Sequence, residues 1–474
     1  MSSMMTLAQA ITWLDQAEPV AAGRDMASVA IGRVHTDTRT IEPGDLFVAL
    51  RGERFDANDF LQEARQKGAV AAICQGANAA AKLVQAGLPG VVVPDARLAL
   101  AQLATGWRAQ FSLPLIAVTG SNGKTTVTQM IASILRAWQG DASLATQGNL
   151  NNDIGVPLTV LRLRAEHRVA VVELGMNHPG EIAYLAAITQ PTVALVNNAQ
   201  REHLEFMATV EAVAQENGSV IDALPADGTA VFPEDDAYSV LWQVKTGIRP
   251  SLSFGGDIQS GAAVRATQAH WQGAAWQVSA VTSAGELHYA LHIAGEHNVK
   301  NSLAAVACAQ AAGVPLQAIA AGLDAFEPVK GRSRALLVHL GGRDITLVDD
   351  TYNANPDSVR AAIEVLTALP APRLLVLGDM GEVGNQGPQF HAEALQLALE
   401  KNIEKVLVTG VACAQAAMKF EAVEVLLNMV DVQAAVQAVL PEVASVLVKG
   451  SRFMKMEQVV DAICAAGAKE GSSC

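Results

Sequence analysis

The chain has 474 residues, half of them hydrophobic but only 4% aromatic, and its 47 acidic against 33 basic residues give a formal charge of −14. At ~150 residues per domain this length allows about three domains, each able to bury its own core. The alanine-rich aliphatic composition suits helices packed on sheets, and the acidic balance argues against nucleic-acid binding, which needs clustered Lys and Arg. The five cysteines, Cys74, Cys308, Cys413, Cys464 and Cys474, are scattered without a CxxC pair, which fits a reducing cytoplasm. Met1 to Gln16 lacks the succession of an export signal, and no uninterrupted run of about 18 apolar residues occurs, so neither export nor membrane insertion is expected.

Residues 1–110 open with a helix-like segment and the turn-rich stretch His35 to Arg39, followed by the buried-strand pattern Asp45 to Leu50 and, later, Val91 to Val93. They form a small α/β unit. From Leu115 to about residue 332 apolar runs alternate with helical periodicity, most clearly at Val169 to Val172 and Val193 to Val196, which predicts a mostly parallel sheet. Between about 228 and 292 shorter alternating stretches with Trp271 and Trp276 predict antiparallel strands. Residues 333–474 hold five further apolar runs, 336–340, 345–348, 374–377, 406–408 and 446–448, read as strands separated by helical segments in a Rossmann-like domain. The expectation is therefore an α/β protein of three domains, 1–110, 111–332 and 333–474. There is no GxGxxG in the last of them, so a redox cofactor is not indicated.

The strand Leu115 to Val118 runs into Thr119, Gly120, Ser121, Asn122, Gly123, Lys124, Thr125 and Thr126, and then into the helix-forming stretch Val127 to Trp138. Strand, glycine-rich loop and helix in that order are the context of a phosphate-binding loop. The glycines admit backbone amides to the phosphates, the helix start adds partial positive charge, Lys124 reaches the β- and γ-phosphates and Thr125 can ligate Mg²⁺. The spacing departs from GxxxxGK[ST] at one place, where Val118 stands for the first glycine. Glu173 ends the apolar strand Val169 to Val172 at the sheet edge where ligands collect, so it is either a Mg²⁺ ligand or an ordinary strand-terminal acid. His203, after Asn197-Asn198, is likewise a metal ligand or a packed or capping histidine.

These residues resemble the Mur ligases, over essentially the whole chain. Thr119 to Thr126 is similar to the family's TGxxGKTx loop, Gly295 to Asn301 to its GxHNxxN motif, and Gly331-Arg332 to its domain-junction arginine. The stretches 148–157, 173–178 and 349–356 resemble the members that add D-alanyl-D-alanine to a UDP-N-acetylmuramoyl-tripeptide. The resemblance implies an N-terminal UDP-sugar domain, a central ATPase and a C-terminal ligase domain in a cytoplasmic, monomeric enzyme of peptidoglycan precursor synthesis that uses ATP and Mg²⁺. It puts Thr38, Arg39, Glu53 and Arg54 near the uridine diphosphate, Asn298 and Asn301 near adenine, Arg332 near the phosphates and Asp350 at the ribose. Asn151, Asn152, Tyr352, Asn353 and Asn355 are implied to bind peptide substrates. Arg39 as a surface salt bridge, Asn301 as a polar helix-face group and Asn353 as a turn residue are the plainer alternatives.

The implied reaction activates the tripeptide carboxylate as an acyl phosphate, which the dipeptide amine displaces, with Lys124, Glu173, His203 and Arg332 stabilising charge and the C-terminal domain closing about Lys330 to Arg334. A sibling ligase with another amine donor, folate polyglutamate synthesis and a nucleotide switch that makes no amide are the competing readings. One position departs from the resemblance. Many Mur ligases carry a carbamylated lysine fourteen residues after the matching histidine, whereas this chain has Asn217, flanked by Glu216, so a second Mg²⁺ is expected to do without that carbamate.

Overall fold

Short aliphatic runs bounded by Gly, Pro and Asp become strands that gather into three large sheets in chain order. The computed structural model describes residues 3–52, 55–201, 204–256, 259–272 and 275–468. In the N-terminal sheet the strands Glu18–Val20, Gly90–Val93, Ala71–Gln75, Asp45–Val48 and Arg33–His35 lie side by side, antiparallel only at the first pair. All four residues of Asp45–Val48 are buried, as a strand covered on both faces requires.

The central sheet has nine strands in the order Ser143–Ala145, Val169–Glu173, Leu115–Thr119, Val193–Val196, Thr229–Pro233, Ser251–Gly255, Val264–Gln272, Ala275–Thr282 and Gly285–Leu291. The first seven are parallel, and the last two pairings, Val264–Gln272 with Ala275–Thr282 and Ala275–Thr282 with Gly285–Leu291, are antiparallel. The stretch 228–292 is thus antiparallel only from residue 264 onward. The helix Ser239–Thr246, its Trp242 fully buried, supplies the crossover that keeps Thr229–Pro233 and Ser251–Gly255 parallel.

Side chains of Leu115–Thr119 alternate between two cores, as the period of two demands. Ile116 and Val118 pack with the helices Lys124–Gln139 and His297–Ala311, while Leu115 and Ala117 share a core with Leu100, Leu103 and Trp107 of the helix Ala96–Arg108. The N-terminal and central units are therefore joined by continuous apolar packing, reinforced where the Trp107 indole N–H donates to the Leu163 carbonyl at 3.1 Å. Truncating such a fully buried leucine to alanine costs about 2–5 kcal/mol.

The C-terminal sheet runs Arg334–Leu340, Arg343–Asp350, Ser445–Lys449, Arg373–Leu377, Lys405–Thr409, Val423–Leu426. Two differences from the sequence reading stand out. The first two runs are a direct antiparallel hairpin with no helix between them, because Gly341 and Gly342 both take positive φ (60° and 77°) in the tight turn. A sixth strand, Val423–Leu426, forms the far edge; its alternating acidic residue, Glu424, hid it from a search for apolar runs. No helix of the described residues is long and apolar enough to cross a membrane.

Candidate active site

The parallel strands of the central and C-terminal sheets end at one cavity of about 850 Å³, within the range of ligand sites and at the edge where open α/β sheets bind. Its first wall is the loop after Leu115–Thr119. The helix begins at Lys124 itself, earlier than the periodicity suggested, and its N-cap, Gly123, provides no side-chain cap, so the first N–H groups stay available to an anion. Gly123 has φ 80°, and a Cβ there would lie 2.7 Å from Asn301 Oδ1; at Gly120, with φ 132°, it would meet the Asn197 and Asn198 backbone nitrogens at 3.0 Å. Both glycines are sterically required. The Lys124 ammonium arches over the loop, donating to the Gly120 and Ser121 carbonyls at 2.6 and 2.9 Å.

A chain of amide side chains holds this loop from the neighbouring strand end. Asn197 Nδ2 donates to the Asn122 carbonyl and to Asn301 Oδ1, Asn301 Nδ2 to Asn298 Oδ1, and Asn298 Nδ2 to the Ala294 carbonyl, all at 2.7–3.0 Å. Asn198 Oδ1 receives the Asn122 N–H at 2.9 Å, and Gln200 Oε1 the Asn122 side-chain amide at 2.6 Å. From behind, fully buried Asn217 accepts the Thr119 hydroxyl at 2.7 Å and the Gly120 N–H at 3.1 Å. Its neighbour Glu216 is occupied elsewhere, accepting the Ile182 N–H at the start of the helix Glu181–Thr189.

Glu173 pairs in register with Val118, which brings its carboxylate beside the loop. Its Oε1 accepts the Thr125 hydroxyl at 3.0 Å and Asn151 Nδ2 at 2.8 Å. Oε2 is buried without a hydrogen-bond partner. A bare buried carboxylate oxygen is costly, so this pair suits a hard cation with oxygen ligands. Asn152 Oδ1 accepts the Gly155 N–H at 2.9 Å in the turn leading into the helix Gly155–Val160, and Asn152 lines the cavity with Asn151.

The opposite wall comes from the C-terminal sheet. Asp350 accepts the Lys449 ammonium at 2.6 Å and the Ser333 N–H at 3.0 Å, while Lys449 also donates to the Asn353 carbonyl at 2.9 Å. The Arg332 guanidinium stacks 4.1 Å from the Tyr352 ring centroid and, among the described residues, has no carboxylate partner. Asn355 caps the helix Pro356–Thr367 and donates through Nδ2 to Asn122 Oδ1 of the loop at 2.9 Å. Asn298, Asn301, Arg332, Asp350, Tyr352, Asn353 and Asn355 thus share the cavity with Ser121 to Thr126 and Glu173.

Other expected residues are not gathered there. Thr38 and Arg39 lie in a 3-10 turn at the N-terminal sheet, where the Arg39 guanidinium, 85% exposed, pairs with Asp37 at 2.6 Å and holds that carboxyl down at about 2. Glu53, Arg54 and His203 lie outside the described residues. Sequence reasoning missed Lys449, although a charged residue ending a buried apolar strand is the signal that picked out Glu173. Among the described residues Asp379, His391 and Cys413 form a compact group of metal-binding types, but their atoms are spent within the fold. His391 Nε2 accepts the Met380 N–H, its other ring nitrogen bonds the Gly387 carbonyl, and Asp379 accepts the Ala412 and Cys413 N–H groups.

Comparison with known proteins bears on the whole chain. The Mur ligase family catalytic domain, the Mur ligase middle domain and the Mur ligase glutamate ligase domain match residues 30–108, 118–309 and 331–452. The sequence is 38% identical to the UDP-N-acetylmuramoyl-tripeptide--D-alanyl-D-alanine ligase of Escherichia coli K12, covering 92% of this chain and 94% of that protein. It is 38% identical to the enzyme of the same name from Haemophilus influenzae over 91% of this chain and 93% of that protein. Crystal structure I of MurF from Acinetobacter baumannii superposes with a TM-score of 0.87 at 34% identity, covering 97% of this chain and 98% of that one. The MurF ligase of Thermotoga maritima in complex with ADP gives 0.77 at 25% identity, over 93% and 98%.

Proposed function

Since this chain belongs to the Mur ligase family, we propose that it is the ATP-dependent ligase joining D-alanyl-D-alanine to UDP-N-acetylmuramoyl-tripeptide, in the cytoplasmic synthesis of peptidoglycan precursor. The observation that carries the chemistry is the single cavity walled by a phosphate loop on one side and by Asp350, Tyr352 and Asn353 on the other. The substrate assignment rests on likeness to relatives of that name over nine-tenths of the chain.

A carboxylate acylates poorly, so the tripeptide carboxylate first takes the γ-phosphoryl group of ATP, releasing ADP, and the dipeptide amine then displaces phosphate from the acyl carbon to form the amide. The loop residues Gly120 to Thr126 cradle the phosphates through their amides and the unshielded helix start, with the Lys124 ammonium alongside. Thr125 and Glu173, whose Oε2 lacks a partner, would hold Mg²⁺ with His203; the ion supplies positive charge against the phosphate oxygens when bound. Arg332, free of a carboxylate partner among the described residues, adds charge from the facing wall, and Tyr352 fixes its plane. Asp350, held by Lys449, offers a carboxylate to the ribose hydroxyls; Asn298 and Asn301 border the adenine; Asn151, Asn152, Asn353 and Asn355 address the peptide groups. Thr38, Arg39, Glu53 and Arg54 belong to the uridine diphosphate end.

The test is a coupled phosphate-release assay with ATP, Mg²⁺, UDP-N-acetylmuramoyl-tripeptide and D-alanyl-D-alanine, each omitted in turn. Release is expected only with all four. Release without the acyl or amine substrate would indicate a nucleotide switch, and release with L-glutamate or a diamino acid in place of the dipeptide would indicate a sibling ligase.

A further inference from the structure

Arg201 follows the strand Val193–Val196 on the central sheet, yet its side-chain partners among the described residues belong to helices of the C-terminal sheet. Its backbone N–H donates to Asp357 Oδ2 at 2.8 Å, and Nε and Nη2 donate to Asp357 Oδ1 at 3.1 and 2.8 Å. Nη1 reaches Glu393 Oε2 at 3.3 Å, and the guanidinium lies 5.2 Å from the Phe390 ring centroid. The Arg201 and Asp357 side chains keep only 24% and 21% of their exposure, so water screens the pair less than an open surface bridge. A planar guanidinium that grips one carboxylate, touches a second and covers an aromatic face is geometrically specific in a way that a lysine would not be.

What the grip fixes follows from its neighbours. Asp357 is in the first turn of the helix Pro356–Thr367, two residues beyond Asn355, whose amide reaches Asn122 of the phosphate loop. On the other side Gln200, adjacent to Arg201, donates its N–H to Ser121 Oγ at 2.9 Å and accepts the Asn122 side-chain amide. Gln200-Arg201 therefore connects the phosphate loop to the helix that follows Tyr352, Asn353 and Asn355. Arg201 itself does not line the cavity.

We propose that Arg201 is a positioning residue, a latch that seats the start of the helix Pro356–Thr367 against the phosphate loop and so sets the separation between the Tyr352 to Asn355 wall and the transferred phosphoryl group. This rests on the ligase reading above, because a fixed separation matters only if a group is carried from one wall to the other. Loss of the latch leaves the loop's hold on ATP and disturbs the alignment needed for transfer, where misplacement on the ångström scale can cost about a hundredfold in rate.

The experiment is a double-mutant cycle of Arg201→Ala and Asp357→Ala, with Asp357→Asn as a variant of near-native shape, measured by amine-dependent phosphate release and by small-angle scattering of the full-length protein without substrates. In each variant kcat should fall roughly tenfold to a hundredfold, as for loss of one charge-assisted contact, with KM for ATP within about twofold. The double variant should be no slower than the slower single one, and its radius of gyration should rise. Additive losses, a rise in KM for ATP at constant kcat, or wild-type turnover in Arg201→Ala would each overturn the latch. So would an unchanged scattering profile in the double variant, whatever the turnover. Absence of amine-dependent release from the wild type would count against the ligase reading alone, while the scattering comparison would still decide the latch.

Discussion

Replacing Asn217 by leucine tests how the phosphate loop is held. Leucine keeps the branched outline of asparagine, with two methyl groups where the amide oxygen and nitrogen stood, so no cavity forms; its larger volume adds packing strain to the loss of the two hydrogen bonds. Asn217 Oδ1 receives the Thr119 hydroxyl at 2.7 Å and the Gly120 N–H at 3.1 Å, both buried. Leaving two buried donors without an acceptor costs about 1–3 kcal/mol each. Against this, Asn217 Nδ2 is itself buried without a partner, so leucine removes one unsatisfied donor and recovers part of the loss. The net destabilisation should be about 2–4 kcal/mol, which for a unit of ~200 residues lowers the melting temperature by roughly 5–12 °C. Because Gly120 begins the loop that faces the phosphates, KM for ATP should rise as well. Thermal denaturation followed by circular dichroism, with phosphate release at varied ATP, measures both. A variant that melts within about 1 °C of the wild type with unchanged KM would refute the claim that these bonds hold the loop.

Lys124→Ala should reduce turnover by about a hundredfold or more, since it removes a charge from the phosphates; near-normal release by the purified variant would contradict the assignment. Arg332→Ala should lower kcat more than it weakens ATP binding, because Arg332 stands on the wall facing the loop; equilibrium nucleotide titration beside turnover separates the two, and a loss confined to affinity goes against the role. The amide at position 217 cannot form a carbamate, so turnover in carbon-dioxide-depleted buffer should not respond to added bicarbonate and should need more Mg²⁺ than a lysine-bearing relative. Activity that collapses on depletion and recovers with bicarbonate would reveal a carbamylated lysine elsewhere.

The phosphate loop was legible because three local rules coincide in twelve residues: a buried strand, glycines that the backbone approach requires, and a lysine opening a helix. Glu173 was legible for a similar reason, as the acid that terminates an apolar strand in register with the loop strand. The helix Ser239–Thr246 was not, because Val240 and Val244 on it are 75% and 73% exposed, and an apolar residue on the wet face spoils the periodicity that separates helix from strand. Asn197, Asn198 and Gln200 were missed for another reason. Amide side chains carry no charge and follow no spacing rule, and their roles arise only when the strand Val193–Val196 lies beside Leu115–Thr119.

The junction arginine shows that a sequence can single out a residue without telling which part of the fold holds it. The sequence suggested closure about Lys330 to Arg334. In the structure Gly331 N–H donates to buried Asp349 at 2.9 Å, Ser333 N–H to Asp350 at 3.0 Å, and Tyr352 N–H to the Gly331 carbonyl at 3.0 Å. Residues 331–333 are thereby stitched to the C-terminal sheet, whereas Phe326 is buried in the core of the central one. Between them Lys330 is already paired with Asp461 of the C-terminal unit at 3.1 Å, which leaves residues 327–329 as the connection. Arg332 is therefore fixed to the C-terminal wall, stacked on Tyr352, and the position of that wall sets how near its charge lies to the phosphate loop. The same placement of the C-terminal unit seats Asn355 on Asn122 and Asp357 on Arg201, so on the proposed reading the arginine facing the phosphates and the arginine gripping the wall depend on one arrangement.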